Sequence, residues 1–168
     1  MIKKIMLHTV AIYLLLLLQT TVANSVMFFG VMPNLLLTYT ICVAILFGKV
    51  EGAIIGGITG LCLDVFSIHY FGIYIIMGII CGYVVGNLNN KYFEQKWYVV
   101  VMCVFSYSFV YEMLMTLIYM VLTSGVEFIY SLRYVVIPQA AYNMVISILF
   151  YIILRFFVPK ENEFEESM

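Results

Sequence analysis

The sequence predicts an all-α protein, an integral membrane bundle of about six transmembrane helices. Of its 168 residues, 65% are hydrophobic and 10% are charged, whereas a soluble domain is about 45–50% apolar and about 25% charged. A chain with so few charges cannot cover an apolar core with a polar shell. The formal net charge of -1 also argues against nucleic-acid binding, which needs a basic surface.

The positions of the charges indicate membrane-spanning segments. Stretches without Asp, Glu, Lys or Arg cover residues 5–48, 65–90, 97–111 and 134–154. A hydrocarbon core of about 30 Å takes roughly 20 helical residues. Only helices and closed barrels satisfy their own backbone groups in lipid. The stretches lack the two-residue alternation of a barrel strand, and this favours helices.

Interruptions in these stretches predict the individual helices. The six predicted spans cover residues 5–23, 34–48, 52–67, 72–88, 97–122 and 134–157. Pro33 is expected to open the second helix at its first position, and Lys49-Val50-Glu51 to form a very short turn. The second and third spans are short, so a five-span arrangement stays open, with residues 34–67 as one bent helix or as one span plus a re-entrant segment. The first apolar stretch is longer than the roughly 7–15 residues of a signal peptide, which favours a retained helix.

Basic residues predict the orientation, because cytoplasmic loops carry an excess of Lys and Arg. With the N-terminus in the cytoplasm, Arg133 alone lies outside. The basic residues inside are then Lys3, Lys4, Lys49, Lys91, Lys96, Arg155 and Lys160. This distribution supports an even number of spans and two cytoplasmic termini. We expect one polytopic membrane domain at 1–158, followed by an acidic cytoplasmic tail at 159–168.

Glycines form the most regular local pattern. The two rows are Gly48, Gly52, Gly56 and Gly60, then Gly78, Gly82 and Gly86. In a helix, four-residue spacing makes a ridge without side chains, along which another helix can approach closely. The rows therefore predict either packing inside the bundle, which is the simpler interpretation, or a groove for a partner. Gly48 is also a candidate for the turn itself.

Two acidic residues need a physical explanation, since an ionisable side chain inside a membrane costs about 2.5–3.5 kcal/mol on insertion scales. Glu112 lies near the middle of span 97–122, where we expect it to be protonated or to meet Gln139 or Asn143. It is a candidate ligand, partner or proton site, or a packing residue. Asp64, at the outer end of the third span, is a candidate to cap the next segment or to contact a partner.

Other polar residues and prolines complete the candidate set. Gln19 and Asn143 are expected to form hydrogen bonds across helices, and Pro138 to kink or to start the last helix. The four Cys and two His residues show no metal-binding spacing, and the chain has no nucleophile or nucleotide-binding motif. We therefore expect no enzymatic activity, cofactor or metal.

Several features occur together in a characteristic order. They are a first helix ending in Gln19-Thr20-Thr21, then Pro33-Asn34-Leu35-Leu36, G-x-x-x-G-x-x-x-G-G-x-x-G-L-x-x-D from Gly48 to Asp64, Gly72, the second glycine row, and a last helix with Pro138 and Asn143. Over nearly the whole chain this order resembles the rod shape-determining protein MreD family. The segment Gly60-Leu61-Cys62-Leu63-Asp64 is its most characteristic piece. The family's usual acidic residue after the proline is replaced by the uncharged Asn34 here.

The resemblance implies a non-enzymatic membrane subunit of the elongasome, which inserts peptidoglycan along the side wall of rod-shaped bacteria. The implied partners are an MreC-like membrane protein and, indirectly, the MreB filament, the elongation glycosyltransferase and a penicillin-binding protein. The family also resembles, in fold, the substrate-binding subunits of energy-coupling-factor vitamin transporters, and this gives an alternative function. Candidate residues for partner binding or helix packing are Gln19, Pro33, Gly52, Gly56, Gly60, Asp64, Gly72, Gly78, Gly82, Glu112, Pro138 and Asn143.

Overall fold

The computed structural model describes residues 2–21, 31–66, 71–87, 97–123 and 127–156. All elements within these ranges are helical. They are α1 (Ile2–Thr21), α2 (Leu35–Phe47), α3 (Lys49–Phe66), α4 (Ile73–Gly86), α5 (Trp97–Leu122), α6 (Phe128–Ser131), a π-helical segment (Leu132–Val136) and α7 (Ile137–Arg155). The expected acidic tail at 159–168 lies outside the described residues, as do Lys91, Lys96 and Lys160.

Each of the six predicted spans coincides with a helix, and the differences lie at the ends. The residues expected to form a turn, Lys49 to Glu51, are instead the first turn of α3, and Gly48 alone makes the break. Gly48 has φ 97° and ψ 179°, a conformation that glycine adopts at little cost. The last helical region begins at Phe128, six residues earlier than expected, because α6 and the π-helical segment continue into α7. The number of helices that cross a membrane stays a prediction.

Helix α2 is the centre of the bundle. It packs against α1, α3, α4, α5 and α7, and all its residues from Leu36 to Leu46 are buried. Its sequence is apolar on every side, and such a helix is expected to be enclosed by others. These five helices therefore surround α2.

Helices α2, α3 and α4 form two consecutive antiparallel hairpins. Thr40 in α2 lies opposite Thr59 in α3, with their hydroxyl oxygens 2.7 Å apart. A side-chain carbon added at Gly52 would lie 2.6 Å from Cβ of Ala44. Residues 35–66 are thus two separate helices that fold back on each other at Gly48, and one continuous bent helix is excluded.

The outer surface of the bundle is strongly apolar. Large hydrophobic side chains such as Val65, Ile76 and Leu149 are at least 60% exposed. Soluble monomers rarely expose extended apolar surface. By length and composition, Trp97–Leu122 and Phe128–Arg155 are each able to cross a membrane, and Met6–Thr21, Leu35–Phe47 and Ile73–Gly86 are shorter apolar helices. These properties agree with a lipid environment.

Candidate functional site

Asn34 organises the N-terminal end of the central helix. It is the N-cap of α2, and its Oδ1 accepts a hydrogen bond of 3.1 Å from the backbone N–H of Leu37. The N–H of Leu36 donates to Oε1 of Gln19 on α1, at 3.3 Å. The sequence placed Pro33 at the first helical position, but α2 begins at Leu35 because the Asn34 side chain caps it. Pro33 therefore precedes the cap.

The carboxylate of Glu112 lies beside this helix end. Its Oε1 accepts hydrogen bonds from Nε2 of Gln139, at 2.8 Å, and from Nδ2 of Asn34, at 3.4 Å. The N-terminus of a helix carries a partial positive charge, which stabilises a nearby anion. The expected pairing of Glu112 with Gln139 is confirmed, and Asn143 reaches it only indirectly, through Asn34.

Asn143 continues this set of hydrogen bonds toward the bundle centre. Its Oδ1 accepts from the backbone N–H of Asn34 at 2.9 Å, and its Nδ2 donates to the Ser108 hydroxyl at 3.2 Å. Asn143 and Ser108 are fully buried, and buried polar groups of this kind stabilise a fold only when they are hydrogen-bonded. The predicted interhelical roles of Gln19 and Asn143 are thereby confirmed. Thr20 and Thr21, by contrast, donate to carbonyls of their own helix.

A cavity of about 390 Å³ adjoins these polar groups. Its lining includes Gln19, Pro33, Asn34, Tyr74, Glu112 and Gln139. The hydroxyls of Tyr74 and Tyr119, another lining residue, are 3.1 Å apart. Within the described residues α1 packs only on α2 and α3. Among the described lining residues there is no Lys, Arg or His, so the carboxylate makes the cavity acidic.

The π-helical segment borders the same cavity. Val135 of this segment and Gln139 of α7 both line it, and Pro138 lies between them in the first turn of α7. Proline has no N–H to donate to the preceding turn, and π-helical turns are often found at functional sites. Pro138 does not start the last helix, which is already helical from Phe128; instead it follows directly after the π-helical segment, where the helix changes from π to α at Ile137.

Asp64, near the end of α3, caps the N-terminus of the next helix, α4. Its two carboxylate oxygens accept hydrogen bonds from the backbone N–H groups of Tyr74, at 3.2 Å, and Ile75, at 2.9 Å. Gly72, the N-cap residue of α4, has φ 103° and no side chain that could cap the helix itself. Asp64 is fully buried. The capping role considered for this residue is confirmed.

The two glycine rows face each other along the α3–α4 hairpin. A side-chain carbon added at Gly56 would lie 2.1 Å from the carbonyl oxygen of Gly78, and one added at Gly82 would lie 2.1 Å from that of Gly52. Gly60 meets the backbone of Tyr74 in the same way. The backbones are therefore in direct contact, and the rows have no space between them for a partner helix.

The candidate residues thus divide into two groups. Gln19, Pro33, Glu112, Pro138 and Asn143 lie at or beside the cavity, whereas Asp64 and the glycines of the two rows hold α3 against α4, and Gly72 lies before α4 with nothing close to it. Sequence reasoning missed the central part played by Asn34, although Pro33-Asn34 before an apolar run is a recognised helix-start signal. It also missed Ser108, Tyr74 and Tyr119, which have no distinguishing local pattern.

Two further depressions lie on the outer surface, and their linings differ from that of the cavity. One follows α5 between Tyr98 and Val110, and the other lies on the α3–α4 hairpin between Ala53 and Ile79. Neither is lined by a charged residue within the described parts of the chain. The polar cavity is therefore the candidate site.

The fold and the site together define a helical bundle with an apolar exterior, a buried polar network and an acidic cavity at one end. The family model of the rod shape-determining protein MreD matches residues 1–160. The chain therefore belongs to the MreD family, whose members are bacterial membrane proteins that act in rod shape determination. Neither a curated protein nor a solved structure matches it.

Proposed function

We propose that this protein is a non-enzymatic membrane scaffold of the elongasome, which binds an MreC-like protein and helps to control side-wall peptidoglycan synthesis. The match of residues 1–160 to the MreD family carries this proposal. The MreB filament, the elongation glycosyltransferase and the penicillin-binding protein are then indirect partners. In this proposal the chain crosses the cytoplasmic membrane several times and both termini are cytoplasmic.

The arrangement of the bundle supports a scaffold whose partner does not bind at the glycine rows. Gly56 and Gly78 already contact each other's backbone, so another helix has no access to them. The polar cavity lies at the end of the bundle that holds the C-terminus of α3 and the N-terminus of α4. In the orientation predicted from the basic residues, this is the extracytoplasmic end. A partner with a large extracytoplasmic domain is then best placed to contact it.

The transporter alternative has no support from the comparisons, because the matching family is a shape-determination family. The first helix also lacks the A-x-x-x-A pattern that the transporter resemblance implies. Its central sequence is Tyr13-Leu14-Leu15-Leu16-Leu17-Leu18. The scaffold is thus the function that we retain.

Depletion in the native cell tests the role in shape. We expect depleted cells to become round and to lose side-wall incorporation of a fluorescent peptidoglycan precursor, and re-expression to restore both. Rods with normal side-wall labelling after depletion would contradict the proposal.

Co-purification tests the partner. The full-length chain, tagged and extracted in mild detergent, is expected to recover the MreC-like protein, and an equally tagged unrelated multi-pass protein serves as the control. Recovery of a transporter ATPase module in place of the MreC-like protein would overturn the scaffold proposal and favour the alternative.

A further inference from the structure

The carboxylate of Glu112 retains binding capacity on one oxygen. Both amide donors, Gln139 and Asn34, bond Oε1, and Oε2 accepts no hydrogen bond within the described residues. A carboxylate offers about four acceptor positions in total. Since Glu112 lines the cavity, its second oxygen is suited to bind a donor that enters there.

The cavity chemistry favours an organic cation. No described lining residue is basic, so nothing in the described lining neutralises the carboxylate. Tyr74 and Tyr119 add aromatic rings, which attract cations over their faces. A bare metal ion would need several oxygen ligands that converge on it, whereas about 390 Å³ is large enough for a whole side chain. A guanidinium group fits best, because it binds carboxylates with two parallel hydrogen bonds and stacks on aromatic rings.

The depth of Glu112 favours a protein over a lipid as the source of this cation. Helix α5 has 26 residues, and Glu112 lies ten residues before its end at Leu122, about 15 Å along the axis at 1.5 Å per residue. Glu112 therefore lies well within the length of α5, level with the N-cap of α2 that it contacts. A lipid headgroup stays at the membrane surface, but a membrane segment of a partner can carry a basic side chain to this depth.

We propose that the Glu112 cavity is the receptor for an arginine or lysine side chain from a membrane-embedded or membrane-adjacent segment of the partner protein. The proposal rests on the scaffold function and adds its recognition chemistry. Gln139 and Asn34 orient the carboxylate, Oε2 binds the cation, and the tyrosine rings lie against it. Because an unpaired cation in the membrane is unfavourable, this pairing also makes docking selective for a partner with a basic residue at the matching depth.

The first test uses the complex with the MreC-like protein, purified in detergent. We expect Glu112→Gln to lower recovery of the partner at least about tenfold, as befits a charge-assisted hydrogen bond. Glu112→Asp keeps the charge and should retain part of the binding, and Glu127→Gln, a carboxylate change outside the cavity, should leave recovery unchanged. Equal recovery with Glu112→Gln and with wild type would overturn the inference while leaving the scaffold function intact.

A charge exchange locates the partner residue. Glu112→Lys should abolish recovery, and replacing the basic residues of the partner's membrane segment with Glu, one at a time, should restore it at one position. Restoration at no position, with a stable Glu112→Lys protein, would contradict the proposal. Recovery of no partner by the wild-type chain would contradict the scaffold function itself, so the two failures are distinguishable.

A direct binding measurement needs no partner. N-acetylarginine amide, at ten times its Kd, should raise the Tm of the purified protein by about 3 °C. N-acetylcitrulline amide has the same shape without the charge and should have no effect, as should the arginine compound on Glu112→Gln. An equal shift with both compounds, no shift with either, or stabilisation by phosphatidylethanolamine alone in nanodiscs would overturn the inference.

Discussion

The α3–α4 hairpin and the polar cavity differ in almost every physical respect. In the hairpin, two backbones touch directly and a single added methyl group at Gly56 would overlap the carbonyl of Gly78. At the cavity, side chains from α1, α3, α4, α5 and α7 and from the residues just before α2 leave about 390 Å³ open. The hairpin comes from one regular repeat, whereas the cavity comes from single residues far apart in the chain. The strongest sequence pattern therefore encodes packing, and the weaker signals encode the candidate site.

Substitutions can test this division, because the chain has built-in reporters of unfolding. Cys42 and Cys81 are free and buried, so a thiol-reactive fluorophore labels them when the bundle opens. The temperature midpoint of this reaction in detergent measures stability. We expect the loss of stability to be largest for substitutions in the hairpin and smallest for substitutions at the cavity.

Gly56→Ala should produce the largest loss of stability. Its new methyl group would lie 2.1 Å from a backbone oxygen of α4, and backbone on both sides cannot move without separating the helices. We expect a loss of about 3 kcal/mol or more, measured as a lower midpoint or as failure to accumulate in the membrane.

Gly57→Ala, at the next residue of the same helix, is the matched control for Gly56→Ala. Its methyl group would meet Cγ1 of Ile79 at 3.1 Å, and this side chain can adjust. We expect a change below about 1 kcal/mol. Similar midpoints for both variants would contradict the close-packed hairpin.

Asp64→Ala should have the next largest effect. It removes the acceptor for two backbone N–H groups at the start of α4, a loss of about 2 kcal/mol. Asp64→Asn keeps one acceptor oxygen and should lose about half as much. If Asp64→Ala retains the wild-type midpoint, the capping interaction has no energetic importance.

Gly72→Ala should cost about 1 kcal/mol, through the backbone alone. Gly72 has φ 103° and nothing lies within 4 Å of an added side-chain carbon, so steric overlap does not contribute. Gly72→Asn provides the comparison, because asparagine tolerates left-handed backbone conformations better than alanine. A midpoint for Gly72→Asn below that of Gly72→Ala would contradict this explanation.

Glu112→Gln should change stability least, within about 1 kcal/mol. Glutamine keeps an oxygen that can accept from Gln139 and Asn34, and the loss is limited to the favourable charge near the α2 N-terminus. The variant is produced in cells depleted of the wild-type protein. Normal membrane levels and a near-normal midpoint, together with loss of rod shape, would show that the cavity serves function and the hairpin serves stability. A large fall in the midpoint would instead assign Glu112 to packing.

Much of this architecture was predictable because it depends on local patterns. Charge-free stretches predicted the helical regions, and Asp64 has the capping role that its residue type favours. The boundary at Lys49 was wrong, because a single glycine with positive φ was enough to reverse the chain. The early start at Phe128 was missed, since a π-helical turn has no simple sequence signature.

The sequence by itself determined which segments are helical and that the molecule belongs in lipid, because composition and short-range spacing govern these properties. Only the tertiary structure decided that the glycine rows face each other and that Asn34 joins α2 to Glu112 and Asn143. Asn34 and Asn143 are 109 positions apart. Contacts at such separations depend on the relative rotation and register of whole helices, and no local pattern specifies these.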